Sequence, residues 1–144
     1  MYKRIILFIM LTSLLIQGCS SATPTTDITN LEPRELVQTF YESLEDKDYQ
    51  TARACLDENY LKQLNEARDS YFNNLESLTT ISISEPAEIR QPDTNGPSVQ
   101  IVAEYTVRYK NELTARHGKQ IRFVYVSKTS DNTPWKITSI GTGP

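Results

Sequence analysis

Residues 99–109, VQIVAEYTVRY, alternate without a break. Val99, Ile101, Ala103, Tyr105, Val107 and Tyr109 fall on one side, and Gln100, Val102, Glu104, Thr106 and Arg108 on the other. Successive side chains of a strand point to opposite faces, so this period of two predicts a long β-strand with one buried face. An isolated strand cannot bury that face, and it needs neighbours. QIRFVYVSK at 120–128 supplies one, with Ile121, Phe123 and Tyr125 sharing a face. LTTISIS at 78–84, with Leu78, Ile81 and Ile83, and WKITSIG at 135–141 supply two more. Pro86 and RQPDTNGPS separate the first two strands, and NELTARHGK and SDNTP are polar connections between the later ones. Such spacing predicts an antiparallel meander.

Helical periodicity precedes the strands. In EPRELVQTFYESLEDKD, Leu36, Val37, Phe40, Tyr41 and Leu44 recur at helical spacing. Pro33 suits a first turn, and Glu32 and Glu35 suit the positive end of the helix dipole. Either a capping box from Thr29 to Glu32 or Asn30 caps this helix. Asp46-Lys47-Asp48 ends the pattern, and Asp48 is a good N-cap for a second short helix, YQTARACL, on which Tyr49, Ala52 and Leu56 share a face. A third helical stretch covers about 58–75 through Leu61, Leu64, Arg68, Tyr71, Phe72 and Leu75, with Arg68 a stem laid across apolar surface. Helices followed by strands predict an α+β domain, with N-terminal amphipathic helices packed on an antiparallel sheet of about four strands.

Phe40, Tyr41, Leu44, Asp46, Asp48, Tyr49, Ala52 and Ala54 resemble the helix-and-turn motif of the nuclear transport factor 2-like superfamily. The closing Trp135, Ile137, Ile140, Gly141, Thr142, Gly143 and Pro144 resemble the tail of a group of small bacterial lipoproteins of unknown function with that fold. The resemblance covers residues 31–144. It implies the cystatin-like α+β cone shared with ketosteroid isomerase, in which a curved sheet bends around the first helix. A wide cone holds a ligand; a cone filled by side chains is only a core. This scaffold hosts enzymes and plain binding domains alike, so the resemblance implies fold more strongly than function.

The first residues speak to location. Lys3 and Arg4 precede a 12-residue hydrophobic run, Ile5 to Ile16. A spanning helix needs about 20 apolar residues, so the run matches a secretory signal peptide instead. Ile16, Gln17, Gly18 and Cys19 resemble a bacterial lipobox, which implies cleavage after Gly18 and lipid on the Cys19 thiol. A diacylated cysteine supplies the two chains that stable anchoring takes. Three segments follow: a lipoprotein signal peptide over 1–18, the lipidated cysteine and a polar tether over 19–30, and the α+β domain over 31–144. The tether SSATPTTDITN is too polar to bury a core and reaches roughly 35 Å when stretched.

Without Lys3 and Arg4 the chain keeps 13 basic and 18 acidic residues, a net −5. That balance argues against nucleic acid and against electrostatic adhesion to anionic lipid, leaving the lipidated cysteine as the membrane contact. The only cysteines are Cys19 and Cys55, so lipidation of Cys19 leaves Cys55 without a disulfide partner, and it reads as a small buried side chain. His117 is the only histidine and lies in a polar connection, which argues against zinc. The turns DNTP and PDTNG lack calcium-loop spacing, and no cofactor motif or nucleophile motif is present.

Candidate pocket-lining residues are Phe40, Tyr105, Tyr109, Phe123, Tyr125 and Trp135, with Glu104 as the one carboxylate of the best strand. The alternation groups Glu104 with Arg108 and Arg122 as a polar sheet face, a cross-strand charge pattern rather than a catalytic group. Gly141 and Gly143 either end the last strand or let a partner's backbone come close. The expectation is a lipid-anchored extracytoplasmic protein of the cell membrane, a non-catalytic module that binds an envelope protein or a small ligand. The alternatives are a receptor or isomerase-like enzyme using the cone, with Glu104 and a tyrosine as polar handles, and a homodimerising scaffold presenting Val102, Val124 and Val126 on its outer sheet face. Replacing Cys19 by alanine should leave the protein unprocessed or released, as read by fractionation and gel mobility. A variant still membrane-bound at its mature size would rule the lipobox out.

Overall fold

The computed structural model describes residues 27–66, 71–89, 96–112 and 116–143. Residues 1–26, on which the expected signal peptide, Gly18, Cys19 and most of the expected tether fall, lie outside the described residues, as do Arg68 and Pro144. Four helices come first: α1 (Pro33–Glu45), α2 (Tyr49–Ala54), α3 (Glu58–Glu66) and α4 (Tyr71–Asn74). Five strands follow: β1 (Leu75–Ile83), β2 (Ala87–Ile89), β3 (Ser98–Tyr109), β4 (Gly118–Ser127) and β5 (Lys136–Gly141). They form one antiparallel sheet in the order β1-β3-β4-β5, with β2 pairing beside β1 on the same side of β3. The fold is the α+β class expected.

The apolar stripe of α1 is buried almost completely: Leu36, Val37, Phe40 and Tyr41 at 0% exposure and Leu44 at 1%. It meets the inward face of β3, where Val99, Ile101, Ala103, Tyr105, Val107 and Tyr109 are all buried. Burying each of these larger side chains stabilises the fold by about 1.5–3 kcal/mol. The cap of α1 is neither Thr29 nor Asn30. Glu32 holds the N-cap position and its N–H donates to Glu35 Oε2 at 3.1 Å, while Thr29 turns back to Asp27. At the other end, Lys47 takes a left-handed φ of 60°, which reverses the chain into α2. Tyr49 and Ala52 do share the inner side of α2, but the helix ends at Ala54, and Leu56, expected on it, is buried beyond its end in the bridge to Ile137. The N-cap is Asp48, whose Oδ1 accepts from the Thr51 N–H at 3.2 Å.

Two further boundaries differ from the sequence reading. Leu75, counted with the third helical stretch, opens β1; its spacing suited either element, and pairing with Tyr109 decides it. The sheet also gains β2, three residues against Ser98, Val99 and Gln100, too short to leave a periodic trace. In β1 the register slips between Thr80 and Ser82, and the intervening Ile81 turns out to 51% exposure.

Both open edges of the sheet are covered. On β1, the Thr80 N–H donates to the Glu45 carboxylate of α1, and Arg34 reaches the Ile83 carbonyl. On β5, residues 55–57 add a short parallel bridge: the Ile137 N–H donates to the Cys55 carbonyl at 3.0 Å, and the Asp57 N–H to the Ile137 carbonyl at 2.9 Å. Gly96 is required for a different reason. A Cβ there would lie 1.9 Å from the Lys128 carbonyl oxygen, so only glycine lets the turn before β3 lie against the end of β4.

Hydrogen bonds from the side chain and backbone of Thr51 hold the Asp48 carboxyl below the usual range. Its contribution is therefore present above the unfolded-state value near pH 4 and is lost as pH falls through the lowered folded-state value. Asp48→Ala should cost about 1 kcal/mol at neutral pH in chemical denaturation. The gap to wild type should close as the pH is taken below the carboxylate range.

Candidate functional site

The register across β3 and β4 decides which side chains enter the cone. Val99 lies opposite Val126, Ile101 opposite Val124, Ala103 opposite Arg122, Tyr105 opposite Gln120, and Val107 opposite Gly118. Since the Val99–Tyr109 set faces α1, so do Val126, Val124, Arg122 and Gln120. The concave face of β4 is thus polar near its start, at Gln120 and Arg122, and apolar further on, with Val124 and Val126 at 0% exposure.

That register corrects several expectations. Ile121, Phe123 and Tyr125 do share a face, but it is the outer one: Phe123 lies opposite Val102, and the Tyr125 hydroxyl accepts from Gln100 Nε2 at 2.9 Å. Val124 and Val126 belong to the core and not to the outer face. Glu104 also points away from the cone, where its Oε1 lies 2.6 Å from Lys119 Nζ. Arg108 is outside as expected, beside Glu76 at 3.5 Å, but Arg122 is inside. Phe40 is sealed beneath Tyr41, with ring centroids 5.2 Å apart, and is core. Trp135 stands at the β4–β5 connection, partly buried against the core, with Lys128 Nζ 4.9 Å from its ring centroid.

Of the expected pocket residues, the structure brings together Tyr105 and Tyr109. Tyr41 and Tyr60, which sequence reasoning did not place there, and the misplaced Arg122 complete the group. The Tyr41 and Tyr105 ring centroids are 5.0 Å apart. Tyr41 is wholly buried and its hydroxyl has no hydrogen-bond partner. Burial pushes that hydroxyl well above its ordinary pKa, Tyr105 pushes it further, and the positive charge of Arg122 acts the other way. Tyr109 is raised by burial and by Tyr105, again opposed by Arg122. Tyr60 is raised by burial and partly relieved by a backbone hydrogen bond with Ile140 of β5. Arg122 itself is half-buried; its Nη1 donates to the adjacent Ile121 carbonyl at 3.0 Å. Among the described residues no carboxylate stands within ion-pair distance of it. The lower cone is thus a filled core, and above it lie Tyr41, Tyr60, Tyr105 and Tyr109 with Arg122, a guanidinium that has no ion-pair partner among the described residues.

A hollow lies away from the tyrosine–arginine cluster. A groove of about 740 Å³ runs between the Arg53–Leu61 segment and the β4–β5 connection. Its three cations are already engaged: Lys136 Nζ donates to the Ala54 carbonyl, Lys128 Nζ to the Asp131 carbonyl, and Arg53 lies over the Phe72 ring at 4.8 Å. Asp57 in the same groove caps α3 through the Asn59 and Tyr60 N–H groups.

The family model described as Domain of unknown function (DUF4829) matches residues 34–141, from the first turn of α1 to the last residue of β5. The chain belongs to this family. No curated protein matches it. The family match spans the whole tyrosine–arginine cluster and the groove, so both lie within the matched domain.

His117 has a structural task. Its Nδ1 accepts from the Tyr109 N–H at 3.0 Å and its Nε2 lies 3.4 Å from Glu112, which closes the β3–β4 hairpin just before Gly118 with its φ of 104°. No group of three potential metal ligands occurs among the described residues, and none of their helices is long and apolar enough to cross a membrane.

Cys55 lies at 0% exposure, and burial pushes its thiol up to about 12, with Lys136 opposing the shift. The thiolate is the reactive form. In a chain lacking residues 1–19, Cys55 should therefore resist a disulfide reagent at pH 8. Labelling should appear only with denaturant, following the unfolding transition. Fast labelling of the folded protein would contradict the burial.

Proposed function

We propose that this protein is a lipid-anchored, extracytoplasmic binding module of the cell envelope, non-catalytic, with its ligand site at the mouth of the cone. The observation that carries the site is the grouping of buried Tyr41, Tyr105 and Tyr109 with partly exposed Tyr60 and Arg122, above a core that is otherwise apolar. Phenols and a guanidinium are hydrogen-bond donors and aromatic surface, which suit recognition. Proton abstraction by a carboxylate would need one aimed into the cone, and the inward positions of β3, β4 and β5 carry none. The reading of location rests on the hydrophobic run and on the Ile16–Cys19 motif. The tether would hold the domain beside the membrane, with the ligand reached from outside the cytoplasm.

A second reading, a dimerising scaffold, is favoured by Ile121 at 48% exposure on the outer face, beside the Val102–Phe123 pair. Sedimentation velocity decides between monomer and dimer independently of any ligand.

The binding reading is tested by thermal-shift screening of small polar and amphipathic compounds against wild type and Gln120→Trp. Gln120 sits half-buried at the mouth opposite Tyr105, and an indole there should obstruct the opening without entering the core. Stabilising compounds are expected for wild type, with the shift lost in the variant. Compounds that stabilise both equally would place the ligand elsewhere.

A further inference from the structure

We propose that the mouth of the cone binds a small organic carboxylate, held by the Arg122 guanidinium and the Tyr41 hydroxyl. The inference rests on the reading of the mouth as the ligand site and names what that site takes.

Three observations carry it. First, Arg122 projects from an inward position opposite Ala103, where its neighbours along the concave face are Val124 and Gln120. A guanidinium is planar, always charged, and presents paired donors that fit a carboxylate bidentately. Here its Nη1 donates to its own neighbour's carbonyl, and among the described residues no carboxylate lies within ion-pair distance of it. Every inward position of β3 around it is apolar or a tyrosine, so this strand face sets phenol donors and no anion beside the cation.

Second, the Tyr41 hydroxyl is buried without a partner. Such a group destabilises the fold relative to one that is hydrogen-bonded. Phenylalanine would fill the same space and avoid that cost. A hydroxyl kept there is explained by an acceptor that arrives with the ligand, and a carboxylate oxygen is a strong acceptor.

Third, the flanking surface is apolar. Tyr60, Leu64 one turn later on α3, and Ile140 of β5 are all partly buried against the core, and Tyr60 makes a hydrogen bond with the Ile140 backbone. A ligand with an acidic head and an apolar body matches the guanidinium and this apolar surface. A phosphorylated or multiply charged ligand would need more than one free cation, and the described mouth offers Arg122.

The test uses the ¹⁵N-labelled full chain in detergent micelles, titrated with benzoate and with benzamide, its neutral counterpart of the same shape. Benzoate should shift the amides of Tyr105, Gln120 and Arg122 saturably, and benzamide should not at equal concentration. Arg122→Gln should weaken benzoate about tenfold or more, and Arg122→Lys by less, because the charge remains while the fork is lost. Tyr41→Phe should also weaken benzoate while raising the thermal midpoint of the unliganded protein. A purely structural role for Tyr41 would not move both quantities in opposite senses. Equal binding of benzamide, unchanged in Arg122→Gln, overturns the carboxylate assignment and leaves the mouth as the site. Shifts confined to the groove around Arg53, Lys128 and Lys136, or no saturable shifts, overturn both. If Arg122→Gln fails to fold, Arg122→Lys and Tyr41→Phe carry the comparison.

Discussion

Strand β3 is hydrogen-bonded along both sides, to β1 and β2 on one and to β4 on the other, so its register decides what three other strands present to α1. Side chains of a strand alternate with a strict period of two, and a slip of one residue would exchange the two faces of a neighbour entirely. Here the inward set of β3 has no polar member except the hydroxyls of Tyr105 and Tyr109. With that face sealed by Leu36, Val37, Phe40, Tyr41 and Leu44, β4 must place Val124 and Val126 inside. The same register, carried one pleat further, brings in Arg122. The polar group at the mouth is a geometric consequence of where the valines have to go.

A sheet held this firmly at its centre still has to end somewhere. Unpaired edges invite pairing with other chains. This domain closes both with material from its helical half. Glu45 and Arg34 of α1 occupy backbone groups of β1, while the chain leaving α2 bridges Ile137 of β5. The helices are therefore a lid over the cone and a border for the sheet at once. Cys55 sits in that border as a free, buried thiol, and its packing requires no disulfide.

How much of this was readable in the sequence follows from how many faces of each segment are apolar. In α1 and β3 one face is apolar and the other polar, and both segments fold as their periodicity says. In β4 the run IRFVYV is apolar on both faces, Ile121, Phe123 and Tyr125 against Val124 and Val126. Alternation shows that these sets are opposed and cannot say which is inside. The larger aromatics look like the core, yet pairing with β3 makes the valines the core. One unreadable orientation carried several residues with it: Phe123 and Tyr125 left the expected pocket, Arg122 entered it, and Val124 and Val126 left the outer face. Tyr60 was missed for a related reason. On α3 no residue is fully buried, so its inner side shows only as a weak stripe of Leu61 and Leu64. Its i, i+4 relation to Leu64 was the available signal.

The cone divides its labour by depth. Toward β5 and the later part of β4, aliphatic side chains fill it and supply stability; toward the hairpin at His117, phenols and a guanidinium replace them. The two halves are coupled through Tyr41, which belongs to both: its ring is packed between Phe40 and Tyr105, and its hydroxyl reaches the polar half with nothing to bond. Small domains are stable by about 5–15 kcal/mol in total, so one buried, unsatisfied hydroxyl is a noticeable fraction of the whole. Packing alone does not account for it, because the ring would pack as well without it. The position is explained if the unliganded domain is held somewhat below its attainable stability, so that an acceptor entering the mouth restores the difference as affinity. On that account Tyr41 links the stability of the core to the occupancy of the site.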